Sequence, residues 1–154
     1  LEAKVKIVIQ RVRRACVRVG GEEVARTGPG LLLLVGVEIN DDEPMAATAA
    51  EKIAHLRLFP QDGQGEGRMD RSVLDIGGEI LVVSQFTLAG SIRKGRRPSF
   101  DGAAPPADAE RIYQRFVEAL REQGVSVATG VFGAMMDVEL VNDGPVTFIL
   151  ENAP

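Results

Sequence analysis

Two short runs carry residue types from which a site could be built without a dedicated catalytic side chain. Asn142-Asp143-Gly144-Pro145-Val146-Thr147 stands where an alternating stretch, Asp137 to Val141, gives way to an apolar one ending at Leu150. It reads as a turn at the end of a strand, because Asn, Asp, Gly and Pro each bend the chain for a separate physical reason. An X-Pro bond forfeits only about 0.5–1 kcal/mol on becoming cis, so a cis Gly144-Pro145 peptide is within reach. Its two carbonyls would then face the same way and form a rigid, side-chain-free gauge of a small ligand's shape. An ordinary loop would use the same residues. The second run, Ser84-Gln85-Phe86-Thr87-Leu88, closes another apolar stretch and brings two hydroxyls and an amide to one strand end.

Conventional catalytic machinery is nearly absent. The only histidine, His55, falls in a helical pattern at the edge of an apolar stripe, and neither it nor the only cysteine, Cys16, sits in a nucleophile motif. One Cys and one His do not make a zinc site. Asp41-Asp42-Glu43 is better explained by a helix N-terminus than by magnesium. Gly63, Gly65 and Gly67 lack the Lys and the following Ser or Thr of a phosphate loop. Any enzyme built from this chain is therefore expected to use backbone amides as donors and a group of its substrate for acid-base work.

Charge separates function classes further. The formal net charge of -4 argues against a surface coated in positive potential for gripping long nucleic acid. Locally, Arg93-Lys94-Gly95-Arg96-Arg97 places four cations in five residues, and Arg11, Arg13, Arg14 and Arg18 add four more within eight. Each cluster is either a solvated face or a small phosphate-contacting patch suited to one end of an RNA.

The elements that must position these groups follow from hydrophobic period. Lys4 to Val12 alternates Val5, Ile7 and Ile9 against Lys4, Lys6 and Gln10, and Ala15 to Val19 continues the strand. Gly20-Gly21 is a hairpin signal before Glu22 to Arg26. Gly28-Pro29-Gly30 precedes Leu31 to Val37, a strand expected to be buried on both faces. Asp41, Asp42 and Pro44 open a helix with a stripe of Met45, Ala49, Ile53 and Leu56. Pro60 to Gly67 reads as a polar loop, Glu79 to Val83 as the strand that delivers Ser84, and Ala89 to Pro106 as a long surface loop. A second helix starts near Ala107 with Ile112, Tyr113, Phe116, Val117 and Leu120 on one face and Gly124 at its end.

The chain's 154 residues suffice for one domain, 1–154, burying about 70% of its unfolded surface. Its composition, 45% hydrophobic and 26% charged, is that of ordinary globular proteins. No apolar run spans a bilayer and no targeting segment is visible, so the cytoplasm is the expected compartment. The expected fold is α+β, a single domain of twisted, mainly antiparallel β-sheets forming a barrel-like core with two main helices packed outside.

Taken together, Ser84 to Leu88, Arg93 to Phe100, Gly130-Val131-Phe132-Gly133-Ala134 and Asn142 to Thr147 resemble the D-aminoacyl-tRNA deacylase (D-tyrosyl-tRNA deacylase) family, and Ile9-Gln10-Arg11-Val12 is similar too. The resemblance runs from about Val5 to Leu150. It implies a homodimer with cross-subunit active sites that hydrolyses the ester joining a D-amino acid to the 3′-terminal adenosine of tRNA, without metal or cofactor and acting on neither DNA nor membrane. It also implies roles. Gly144-Pro145 would hold the amino group and exclude the L form from within the partner's site. Ser84, Gln85, Phe86 and Thr87 would face the scissile ester, with amides around Gln85 and Phe86 stabilising the oxyanion. Phe132 and Met136 would wall the adenosine and aminoacyl pocket, Arg11 would support the Gly-Pro loop, and Asn142 and Thr147 would join the substrate-binding set. Arg93, Lys94, Arg96 and Arg97 are possible tRNA contacts. Thr87 is a candidate nucleophile, with the ribose 2′-hydroxyl as the side-chain-independent alternative. Glycyl-tRNA should also be cleaved, since glycine has no side chain to exclude.

Two rivals predict different behaviour. A non-catalytic RNA-end-binding module would bind tRNA without turnover, and a general esterase would ignore both chirality and RNA.

Overall fold

The architecture is organised by one long strand. A computed structural model describes residues 5–62 and 67–151, in the order β1 (Val5–Val19), β2 (Glu22–Thr27), β3 (Gly30–Val37), α1 (Glu43–His55), β4 (Phe59–Pro60), β5 (Met69–Arg71), β6 (Glu79–Ser84), a 3-10 turn (Phe86–Ala89), α2 (Pro106–Glu122), β7 (Ser126–Thr129) and β8 (Asp137–Leu150). Lys4, Gly63 and Gly65, which entered the sequence reading, lie outside the described residues.

Antiparallel pairing places β2 against Ala15–Val19 and β3 against Val5–Val12 of β1, while β8 pairs with β1 as well. The run from β2 to β3 therefore retraces β1 as a single ladder broken at Gly28-Pro29. Beyond β3 the sheet turns parallel, with β6 beside β3 and β7 beside β6, so within this sheet antiparallel pairing is confined to the neighbours of β1. The result is a nearly closed mixed barrel with two helices, an α+β domain. Leu31, Leu32 and Leu33 are fully buried in β3, as a strand covered on both faces requires.

One core lies between sheet and helices and contains Ile7, Ile9, Leu33, Ile53, Phe116 and Leu120; a second, around Val17, Leu32 and Leu81, fills the other face. In α1, Asp42 caps the N-terminus by accepting from the Met45 N–H at 2.9 Å. The buried face of α1 differs from the expected stripe: Ala46, Ala49, Ala50, Ile53 and Ala54 are buried, Met45 is only partly so, and Leu56 lies past the helix. α1 packs against α2, and small alanines on the buried face are compatible with that contact. In α2 all five expected apolar residues are buried.

Two further corrections concern connections. Pro60 belongs to a two-stranded sheet of β4 and β5 that the polar composition of this stretch did not signal. Asn142 to Thr147 is not a turn at a strand's end. It lies inside β8, where Val12 pairs with Asn142 and Gln10 with Thr147, so residues 143–146 bulge out opposite a single residue, Arg11.

Tyr113, the only tyrosine, provides a stability test. Its hydroxyl donates to the Val82 carbonyl at 3.1 Å, and burial pushes its pKa up from 10.0 to about 12. Below pH 10 folded and unfolded chains both hold the proton. Between pH 10 and 12 only the unfolded chain releases it, so about 2–3 kcal/mol of stability should drain away over that window. Tyr113→Phe should abolish this alkaline limb at small cost near neutrality, because the Val82 carbonyl keeps the Gly130 N–H at 3.1 Å. Urea melts at pH 8 and 11, with tyrosinate absorbance as the titration signal, check it; equal alkaline losses in both proteins would reject it.

Candidate active site

β6 ends at Ser84, and the chain crosses the β3 terminus before turning. The Gln85 N–H still follows the ladder and donates to the Val35 carbonyl at 2.8 Å. It is therefore committed, and among the described residues the Phe86 and Thr87 amides are the ones in this run without an acceptor. Of the expected donors around Gln85 and Phe86 only the Phe86 amide is therefore unengaged, with Thr87 as the next one along, because a strand that runs on by one residue consumes one N–H. The Gln85 side-chain amide donates to Thr87 Oγ1 at 3.1 Å, and both side chains lie toward solvent.

Beside this turn opens a cavity of about 550 Å³ whose walls include Ser84, Phe86, Phe100, Phe132, Met136 and Ile39. It is mostly apolar and large enough for a nucleoside with an attached small group. Phe132 rests on Tyr113, ring centroids 5.7 Å apart, so the wall is backed by α2. Phe86 and Phe100 face each other at 5.2 Å at the rim, both partly open to solvent. Of the sequence-predicted residues, Ser84, Phe86, Phe132 and Met136 line the cavity. Phe100 and Ile39 also line it but were not singled out; Phe100 stood inside a quoted motif, whereas Ile39 gave no signal beyond its apolar type.

The second group of predicted residues lies elsewhere. Arg11, Asn142, Gly144, Pro145 and Thr147 gather on the β1–β8 pair and do not line that cavity. The Gly144-Pro145 peptide is cis, and both residues are exposed. The base of the bulge is stitched at several points. Asn142 Nδ2 donates to the Arg11 and Val146 carbonyls at 2.9 and 3.0 Å, and Thr147 Oγ1 donates to Asn142 Oδ1 at 3.3 Å. Arg11, only 3% exposed, donates from Nη1 to the Leu58 carbonyl at 2.8 Å and from Nε to the Asp143 carbonyl at 3.3 Å. Asn142 is thus a loop anchor by geometry, with its amide spent on backbone.

The two basic clusters differ. In the first, Arg11 is buried and shares Asp143 with Arg13, at 3.4 and 3.1 Å, and Arg18 pairs with Glu139 at 2.8 Å, so two carboxylates offset part of its charge and Arg14 stays exposed. In the second, Arg93, Lys94, Arg96 and Arg97 are all exposed, and among the described residues none is paired with a carboxylate. His55 is exposed on α1 and meets Gln123 Oε1 at 3.0 Å, away from the cavity. Cys16 is buried in the sheet. Among the described residues no cluster of three or more His, Cys, Asp or Glu could hold a metal ion, and no helix is long and apolar enough to cross a membrane.

The family described as D-Tyr-tRNA(Tyr) deacylase matches positions 8–151. A D-aminoacyl-tRNA deacylase of Pelobacter propionicus is 58% identical over 95% of this chain and 99% of its own length. That of Geobacter sulfurreducens is 57% identical over 95% and 94%. Among solved structures, one titled c-Myc DNA Unwinding Element Binding Protein superposes with a TM-score of 0.86 at 41% identity, covering 94% of this chain and 97% of its own. A probable eukaryotic D-amino acid tRNA deacylase superposes at 0.83 with 18% identity, which speaks to the fold alone. With a family match across nearly the whole chain and relatives well above half identical, the chain belongs to the D-Tyr-tRNA(Tyr) deacylase family.

Proposed function

We propose that this protein hydrolyses the ester bond of D-aminoacyl-tRNA, releasing free D-amino acid and tRNA, and so removes the wrong enantiomer from translation in the cytoplasm. The observation that carries this reading is the family match over residues 8–151, joined to a nucleoside-sized cavity beside Ser84 to Thr87. The terminal adenosine enters between Phe132, Met136 and Phe86, and the ester lies against the 3-10 turn. Water attacks the ester carbonyl, the Phe86 and Thr87 amides stabilise the oxyanion, and the ribose 3′-oxygen leaves as the hydroxyl. Such donors contribute about 2.7–4 kcal/mol each.

Thr87 is a poor nucleophile in this setting. Its hydroxyl oxygen accepts from the Gln85 amide, which donates and cannot take a proton. The substrate's 2′-hydroxyl, adjacent to the ester, takes over the proton handling that a histidine would otherwise supply.

A second copy of the chain completes the site. Gly144 and Pro145 stand exposed and away from their own cavity, β8 pairs on one side only among the described residues, and Phe148 and Ile149 on β8 face solvent. In a homodimer the Gly144-Pro145 loop enters the partner's cavity as a backbone wall that contacts the amino group and α-hydrogen and clashes with an L side chain. A reader of that kind ignores the identity of the D side chain and lets glycine pass, so glycyl-tRNA is a substrate as well.

Purified protein should cleave D-tyrosyl-tRNA and spare L-tyrosyl-tRNA, with or without a chelator, and Thr87→Ala should retain much of the rate. Cleavage of neither ester by a folded dimer would favour an RNA-end-binding module. Cleavage of both would favour a general esterase, and loss of activity in a folded Thr87→Ala protein would restore a nucleophilic threonine.

A further inference from the structure

We propose that the hairpin Ser91–Ser99 is a phosphate clamp for the last few nucleotides of the RNA strand whose terminal nucleoside occupies the cavity. This rests on the deacylase reading for the identity of the RNA, although the clamp can be tested independently of turnover.

The hairpin is held at its base. Ser91 and Ser99 exchange backbone hydrogen bonds at 2.7 and 2.8 Å, and Ser91 Oγ accepts from the Arg93 N–H at 3.3 Å. Phe100, the next residue, lines the cavity and faces Phe86 at 5.2 Å. Gly90 makes this seating possible: a Cβ there would lie 2.8 Å from the Phe100 ring. The cationic tip is thereby fastened to the cavity rim at one end.

Charge density sets this segment apart. Arg18, Arg26, Arg57, Arg111 and Arg115 face carboxylates, and the other cations without a carboxylate among the described residues, such as Arg14, Lys52 and Arg121, are scattered, whereas Arg93, Lys94, Arg96 and Arg97 stand unpaired within one hairpin. On a chain of net charge -4, four unneutralised cations on one hairpin form a local positive field beside a mostly apolar cavity. Exposed Phe86 and Phe100 rings at the junction add π-faces on which a base can stack.

Reach limits what the clamp can touch. Gly95 is four residues from each strand of the base, so the tip extends at most roughly 14 Å from the rim at about 3.5 Å per residue. A stacked strand rises about 3.4 Å per nucleotide, so that distance spans about four phosphates. The cations therefore meet the single-stranded end next to the terminal adenosine and leave the distant helical parts of the tRNA alone.

Binding separates the possibilities. The probes are adenosine, a 5′-phosphorylated four-nucleotide RNA matching the tRNA 3′ end, and whole uncharged tRNA. Four phosphate contacts predict a log–log salt slope near −2.8, or about 50-fold weaker tetranucleotide binding between 50 and 200 mM salt. The variant Arg93→Gln/Lys94→Gln/Arg96→Gln/Arg97→Gln should flatten that dependence while keeping wild-type affinity for adenosine. An unchanged slope in the variant would overturn the clamp. So would a variant effect seen with whole tRNA but absent with the tetranucleotide, because the cations would then meet a distant part of the molecule. If D-tyrosyl-tRNA is not cleaved yet the tetranucleotide shows the slope and its loss, the clamp stands and the deacylase reading falls.

Discussion

Gly144→Ala is expected to lower kcat/KM for D-tyrosyl-tRNA by about 10²-fold or more and to shrink the preference for D over L, while the fold survives. The backbone at Gly144 has φ 126°, a region that L residues rarely occupy. A Cβ there would lie 2.8 Å from Val146 Cγ2, 3.1 Å from the Val146 nitrogen and 3.2 Å from Arg11 Nη2. Val146 is buried, and Arg11 is held by the Leu58 carbonyl, so neither yields freely. Strain of roughly 1–3 kcal/mol is relieved by moving the loop. A displacement of about 1 Å suffices for the expected loss, since a reading wall works by fixed position.

The effect on chirality follows from magnitudes. Excluding the L form by about 10⁴-fold takes roughly 5.5 kcal/mol, whereas apolar pockets separate close analogues by only about 1–3 kcal/mol. Under the proposed reading, hard contact with backbone supplies the difference, and contact of that kind is lost when the wall shifts. Paired rates on D- and L-tyrosyl-tRNA, with thermal melts as the fold control, provide the measurement. Wild-type rates and selectivity in the variant would remove Gly144 from chiral selection.

How much of this was legible in the sequence depends on what kind of interaction fixed each feature. Local patterns were readable: the alternation along β1, the hairpin at Gly20-Gly21 and the apolar face of α2 each arise within a few residues, and all are present. Pairing between distant segments was not. Nothing in Leu31 to Val37 or Glu79 to Ser84 states that they lie parallel, since both are simply apolar runs. The bulge in β8 was hidden for the same reason: Asn, Asp, Gly and Pro announce a bend, but only the register against β1 shows that the strand resumes afterwards. Arg11 carried two readings. Counted as one of four nearby arginines it looked like surface charge or a phosphate patch, while the family resemblance made it a support of the Gly-Pro loop; it shares the odd-numbered face of Val5, Ile7 and Ile9, which are buried, so its position already pointed inward.

That inward position makes Arg11→Leu the other large expected effect, and the expected loss divides unequally between stability and activity. Arg11 and Arg13 share the Asp143 carboxylate, with Arg11 Nε at 3.4 Å from one oxygen and Arg13 Nη2 at 3.1 Å from the other. Removing Arg11 leaves Asp143 paired with Arg13, so the 3–5 kcal/mol typical of an orphaned buried charge is not incurred. The Leu58 carbonyl loses its donor, which costs about 1–3 kcal/mol, and a chain of this size should melt roughly 3–10 °C lower. Activity should fall further, by about 10²-fold, because Arg11 also ties the Asp143 carbonyl, one residue before Gly144, to the loop between α1 and β4. Arg11→Lys should not restore it: a single ammonium carries the charge but lacks the planar fork that reaches Leu58 and Asp143 together. Melting curves paired with D and L rates distinguish the two losses. A variant that melts early yet keeps wild-type rate and selectivity would make Arg11 a purely structural residue, whereas loss of rate and selectivity in both variants would tie the buried arginine to the positioning of Gly144 and Pro145.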